Sequence, residues 1–136
     1  MTKSGDMARR RASIPKLQVY NNALKMVYSS LTFEQAILNR KSWGRIFESG
    51  IGAYLVSQAF VHRFEVFYWR ERDAEADFVL RKKGSVVAIE VKSNAEKRTD
   101  GLDKFRKLFN SQSAFIVGDG GISAEDFLSM DLRKLF

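Results

Sequence analysis

Two apolar runs, AEADFVLR (74–81) and SVVAIEVK (85–92), flank the tripeptide KKG at 82–84. Runs of this length, rich in Val, Ile and Phe and broken by a glycine turn, form β-hairpins. The hairpin is the strongest folding signal in the chain, and the other elements must pack around it. Its strands carry Asp77, Glu90 and Lys92 at positions where valine would cost less.

Strand side chains alternate between faces, so Glu90 and Lys92 share one face and Ile89 and Val91 take the other. The same alternation places Asp77 with Glu75 and Val79, opposite Phe78 and Leu80. The turn decides whether the two polar faces coincide. With Lys83-Gly84 as a two-residue turn, Asp77 falls opposite Glu90, about 4.5–5.5 Å away between Cβ atoms. A four-residue turn keeps that parity. A three-residue turn with Gly84 left-handed puts the two acids on opposite faces, and glycine suits either geometry.

The remaining elements follow from period and caps. Residues 14–31 read as a loop with a short helix. Thr32 with Gln35 has the form of a capping box, opening a helix that runs to about Leu38. WGRIFESGIGAYLVSQAFV (43–61) repeats apolar residues at three and four and reads as the main helix. FEVFYW (64–69) is a strand, and residues 76–81 and 85–92 are the hairpin strands. Leu102, Phe105, Leu108 and Phe109 share one face of a helix over 101–110. SAFIVG (113–118) is a buried strand, and Ser123 caps a last helix. This order gives an α/β fold, mixed α+β, with an antiparallel hairpin inside a mixed sheet.

Composition narrows the function. A chain of 136 residues with 45% hydrophobic content folds as one globular domain. It has no cysteine, so disulfides and thiolate metal sites are excluded and a reducing compartment, the cytoplasm, is expected. No apolar run reaches the roughly 18–20 residues of a membrane span. The net charge of +7 is concentrated at the start, where residues 1–25 hold six Lys or Arg against one Asp. Residues 1–13 read as a basic arm, and Arg9, Arg10 and Arg11 either contact phosphates or are simply solvated.

Two carboxylates opposite one another repel unless a cation or a lysine neutralises them. Mg²⁺ or Mn²⁺ suits oxygen ligands, so Asp77 and Glu90 are candidate metal ligands with Lys92 beside them. The alternative is a salt-bridge ladder on a solvated face. Glu48 interrupts the main helix between Gly44 and Gly52. Two glycines in a helix cost about 1 kcal/mol each relative to alanine, which points to a close approach. Glu48 is then a third candidate carboxylate, or a surface acid. Tyr68, Trp69 and Arg70 either stack on bases or belong to the core. His62 reads as a residue that caps the long helix or packs, rather than as a metal ligand.

An acid on the first helix, an Asp on one hairpin strand and Glu-x-Lys on the next resemble the PD-(D/E)XK nuclease superfamily. That resemblance implies a restriction-endonuclease-like αβββαβ core. SIPKLQVYNNAL (13–24), WGRIFESGIGAYL (43–55), FYWRERDAEADFVL (67–80) and VVAIEVKS (86–93) resemble the C-terminal domain of prokaryotic AAA+ ATPase-like proteins of unknown function. The resemblance implies a nuclease-like domain over 14–136, preceded in its parent protein by an ATPase domain. The chain itself lacks the G-x-x-x-x-G-K-[ST] loop, so ATP would belong to that missing domain. The catalytic set implied is Glu48, Asp77, Glu90 and Lys92, with Mg²⁺ or Mn²⁺ held by Asp77 and Glu90. The expected partner is DNA, contacted by Arg9, Arg10, Arg11, Trp69 and Arg70. A catalytically inactive binding module that serves the ATPase is the alternative.

Overall fold

The computed structural model describes residues 16–94, 100–111 and 113–136. The basic arm 1–13, including Arg9, Arg10 and Arg11, lies outside the described residues. Among the described residues, five α-helices and four strands follow in the order α1 Asn22–Val27, α2 Phe33–Leu38, α3 Arg40–His62, β1 Glu65–Glu71, β2 Ala74–Lys82, β3 Ser85–Lys92, α4 Asp100–Phe109, β4 Ser113–Gly118 and α5 Ala124–Ser129. A 3-10 turn, Leu132–Leu135, ends the chain. No helix among the described residues is long and apolar enough to cross a membrane.

Local chemistry accounts for the boundaries. The capping box forms as read: Gln35 N–H donates to Thr32 Oγ1 at 3.3 Å, and Thr32 N–H donates to Gln35 Oε1 at 2.9 Å. Asn39 then accepts from Ser42 N–H at 3.0 Å, so α3 starts at Arg40, earlier than its apolar period indicates. The long helix stops where Arg63 turns left-handed at φ 57°. Ser123 caps α5 by accepting from Asp126 N–H at 3.0 Å.

The sheet is mixed, in the order β1-β2-β3-β4. The first two pairings are antiparallel and β3–β4 is parallel. A parallel neighbour requires a crossover, which α4 supplies. Lys83 and Gly84 both have positive φ, 47° and 90°. That is the two-residue type I′ hairpin turn, and Phe78↔Ile89 and Leu80↔Val87 stand in the register it dictates.

Helices cover both faces. On one, Ile51 and Leu55 of α3 pack with Phe78, Leu80, Ile89 and Val91, joined by Phe127 of α5. On the other, Leu102 and Phe105 of α4 pack with Trp69, Ala76, Val79 and Ala88.

Candidate functional site

The register between β1 and β2 slips beside Asp77. Phe67 and Trp69 are two residues apart, whereas their partners Val79 and Ala76 are three apart. Asp77 and Phe78 therefore both oppose Tyr68, which is a β-bulge. This corrects the simple alternation: Ala76 and Val79 face α4 together, and Asp77 does not follow Val79. Bulges re-aim side chains and are frequent beside active sites. Here the bulge turns Asp77 Oδ2 toward β3, where it accepts from Val91 N–H at 2.8 Å. The carboxylate is thus anchored on the peptide that joins Glu90 to Val91.

Asp77, Glu90 and Lys92 are 4%, 8% and 4% exposed, and among the described residues they are the buried charged side chains. Lys92 Nζ lies 3.9 Å from Glu90 Oε1. A solvated ladder, the alternative open from sequence, is excluded by this burial. Charges taken out of water require partners, because each unpaired ion costs several kcal/mol.

One partner comes from outside the hairpin and the helix. Lys16, at the start of the described chain, forms an ion pair with Glu48 on α3, and its Nζ lies 3.7 Å from Asp77 Oδ1. The ammonium also sits over the Tyr68 and Phe78 rings, 4.6 and 5.4 Å from their centroids. Burial pulls the Lys16 pKa down, but the hydrogen bond and charge of Glu48, with the charge of Asp77, outweigh it, and the net shift is upward. Lys16 thus links the helix acid to the hairpin acid. Among the described residues no three His, Cys, Asp or Glu side chains are grouped so as to hold a metal ion. The expectation of three mutually facing carboxylates is corrected accordingly: Glu48 meets Asp77 through an ammonium.

The glycines of α3 have the close approach that their cost indicates. A Cβ on Gly44 would lie 3.1 Å from Ser93 Oγ, and one on Gly52 would lie 2.8 Å from Phe78 Cζ and overlap the Gln18 side chain. Beside Glu48 an open groove of about 520 Å³ is lined by Arg40, Lys41, Arg45, Ser93 and Asn94 among others. The apolar period alone starts the helix after Arg40 and Lys41, so it gives no sign that Arg45 joins them along one rim.

The residues named for nucleic-acid contact divide. Arg70 is exposed on β1. Trp69 is a core residue, a correction to its role as a stacking platform. Its ring packs edge-on against Phe105 at 5.3 Å and Phe109 at 6.1 Å, since strand alternation puts residues 67 and 69 on the α4 side. His62 Nε2 lies 3.0 Å from Gln58 Oε1, within the end of α3.

Asp77 and Glu90 offer hard oxygens of the kind Mg²⁺ takes, and Mg²⁺ keeps several waters when only one or two carboxylates bind it. The ammonium between Glu48 and Asp77 also marks a position that suits a cation.

Fold and site together define a mixed α+β domain with a buried acid–lysine hairpin beneath a long capped helix. Residues 43–126 match the model of a family described as a domain of unknown function, DUF4143, and the chain belongs to that family. Domains of this family are usually found with AAA-type ATPases. No curated protein and no solved structure matches the chain.

Proposed function

We propose that the domain is a metal-dependent phosphodiesterase of the PD-(D/E)XK type, with a restriction-endonuclease-like core, acting on DNA in the service of an AAA-type ATPase in its parent protein. The observation that carries this reading is the burial of Asp77, Glu90 and Lys92, each on one of the two inner strands of the sheet. Burying charges there costs stability relative to apolar residues, and such a cost is typical of sites kept for chemistry. Asp77 and Glu90 would hold Mg²⁺ or Mn²⁺, which supplies water activation and charge neutralisation when bound. Lys92 would orient the attacking water or stabilise charge developing on the phosphate. Glu48 would assist from α3, and the basic rim of the groove would receive the phosphate backbone.

One observation favours a second reading. Lys16 already neutralises Glu48 and Asp77, as it would in an inert binding module for DNA or for the ATPase. Cleavage of labelled single- and double-stranded DNA, with Mg²⁺ or Mn²⁺ against a chelator, separates the two. Cleavage that needs metal and vanishes in Asp77→Asn supports the enzyme. DNA binding without cleavage by the wild-type domain supports the module.

A further inference from the structure

Residues 16–22 form a strap along α3 that polar contacts hold. Gln18 Nε2 donates to the Ser49 carbonyl at 2.9 Å, and its side chain lies over Gly52. Asn22 Nδ2 donates to the Ile46 carbonyl at 3.3 Å. The apolar side chains of the strap contribute little, because Leu17, Val19 and Tyr20 are exposed. Lifting it therefore uncovers little new apolar surface. The interaction of greatest consequence is that of Lys16, whose ammonium faces Asp77 Oδ1 and pairs with Glu48. Oδ2 of the same Asp77 receives the Val91 N–H, so Oδ1 is the oxygen turned toward the cation position.

We propose that Lys16 gates the carboxylate site: the strap places an ammonium where a divalent cation would bind, and metal enters when the strap lifts. The proposal rests on reading Asp77 as a metal ligand. The exchange is non-covalent, one cation for another at Asp77 Oδ1. A site open only part of the time binds its ligand more weakly by the open fraction. Removing the gate should therefore raise metal affinity without altering any carboxylate.

The test is Mn²⁺ titration by calorimetry on the full chain. Lys16→Met should bind Mn²⁺ about tenfold more tightly than wild type or better. Gln18→Ala, which loosens the strap and keeps every charge, should shift affinity in the same direction by a smaller factor. Lys107→Met removes the same charge from the exposed side of α4 and should stay within about twofold of wild type. Equal gains in Lys16→Met and Lys107→Met would show a general charge effect and overturn the gate. So would unchanged affinity in Lys16→Met while Asp77→Asn loses binding, an outcome that leaves the metal site standing. Absence of Mn²⁺ binding in wild type and all variants removes the site and the gate together. If Lys16→Met does not fold, Gln18→Ala decides, and wild-type affinity in that variant overturns the gate.

Discussion

Replacing Asp77 separates its two tasks, one as a hydrogen-bond acceptor and one as a charge. In Asp77→Ala the Val91 N–H, bonded at 2.8 Å in the wild type, loses its acceptor inside the sheet. A buried donor left without a partner costs about 1–3 kcal/mol. Loss of the counter-charge for Lys16 adds about 0.5–1 kcal/mol, a value discounted because that ammonium is partly exposed. The sum is roughly 1.5–4 kcal/mol. With an unfolding entropy of about 2.1 cal/mol/K per residue, a domain of this size loses about 3.5 °C per kcal/mol, so Tm should fall by about 5–14 °C. Asp77→Asn keeps an oxygen for Val91 N–H and should remain within about 1–2 kcal/mol of wild type. Thermal unfolding followed by circular dichroism measures the gap, and amide hydrogen exchange at Val91 reports the bond itself. Equal melting temperatures for the two variants, with Val91 protected in both, would refute the anchoring role of the carboxylate.

Other outcomes follow from the same geometry. Trp69→Ala should cost about 3–5 kcal/mol by emptying the space against Phe105 and Phe109, while DNA affinity in a filter-binding assay stays unchanged. Gly101→Ala should lower Tm much more than Gly84→Ala. A Cβ at Gly101 would overlap the Glu75 carbonyl oxygen, whereas Gly84 has open space and only a positive φ to satisfy. The Arg133 side chain, by its hydrogen bond, and the Arg133 backbone N–H hold Asp131 down at about 2 from its usual 3.8. The stability this adds is present above the usual value and lost as pH falls through about 2, and Asp131→Asn should flatten that acid limb in pH-dependent melts. If the basic rim holds phosphates, converting Arg40, Lys41 and Arg45 to Gln should reduce the slope of log affinity against log salt by up to about 0.9 for each phosphate no longer neutralised.

How much of this was legible beforehand depends on the range of the forces involved. The hairpin register was readable as one of a few turn options because Gly84 and the apolar runs restrict it locally, and the positive φ at Lys83 and Gly84 selects the two-residue turn. The Thr32 capping box and the Ser123 cap were readable for the same reason. Asn39 is hard to see as a cap because an asparagine between two helices carries no apolar period. The bulge at Asp77 and Phe78 leaves no mark, since neither glycine nor proline signals it, and it is what redirects the acid. Lys16 is beyond the reach of pattern reading. Its link to Glu48 and Asp77 spans distant segments and exists only once α3 and the hairpin have packed. Trp69 is ambiguous in sequence because a strand aromatic looks alike in a core and on a binding face until the helix that covers it is known.

The central claim is that Asp77, Glu90 and Lys92 make up a hydrolytic site. It is tested most directly by the single-turnover rate of DNA cleavage at saturating Mn²⁺, wild type against Lys92→Met. Loss of one preorganised group that stabilises developing charge typically lowers a rate by about 10²–10³-fold. Wild-type cleavage, with a loss of that order in Lys92→Met and Mn²⁺ binding retained, is the predicted result. Equal rates in the two proteins, or no cleavage by the wild type on any DNA substrate, would contradict it.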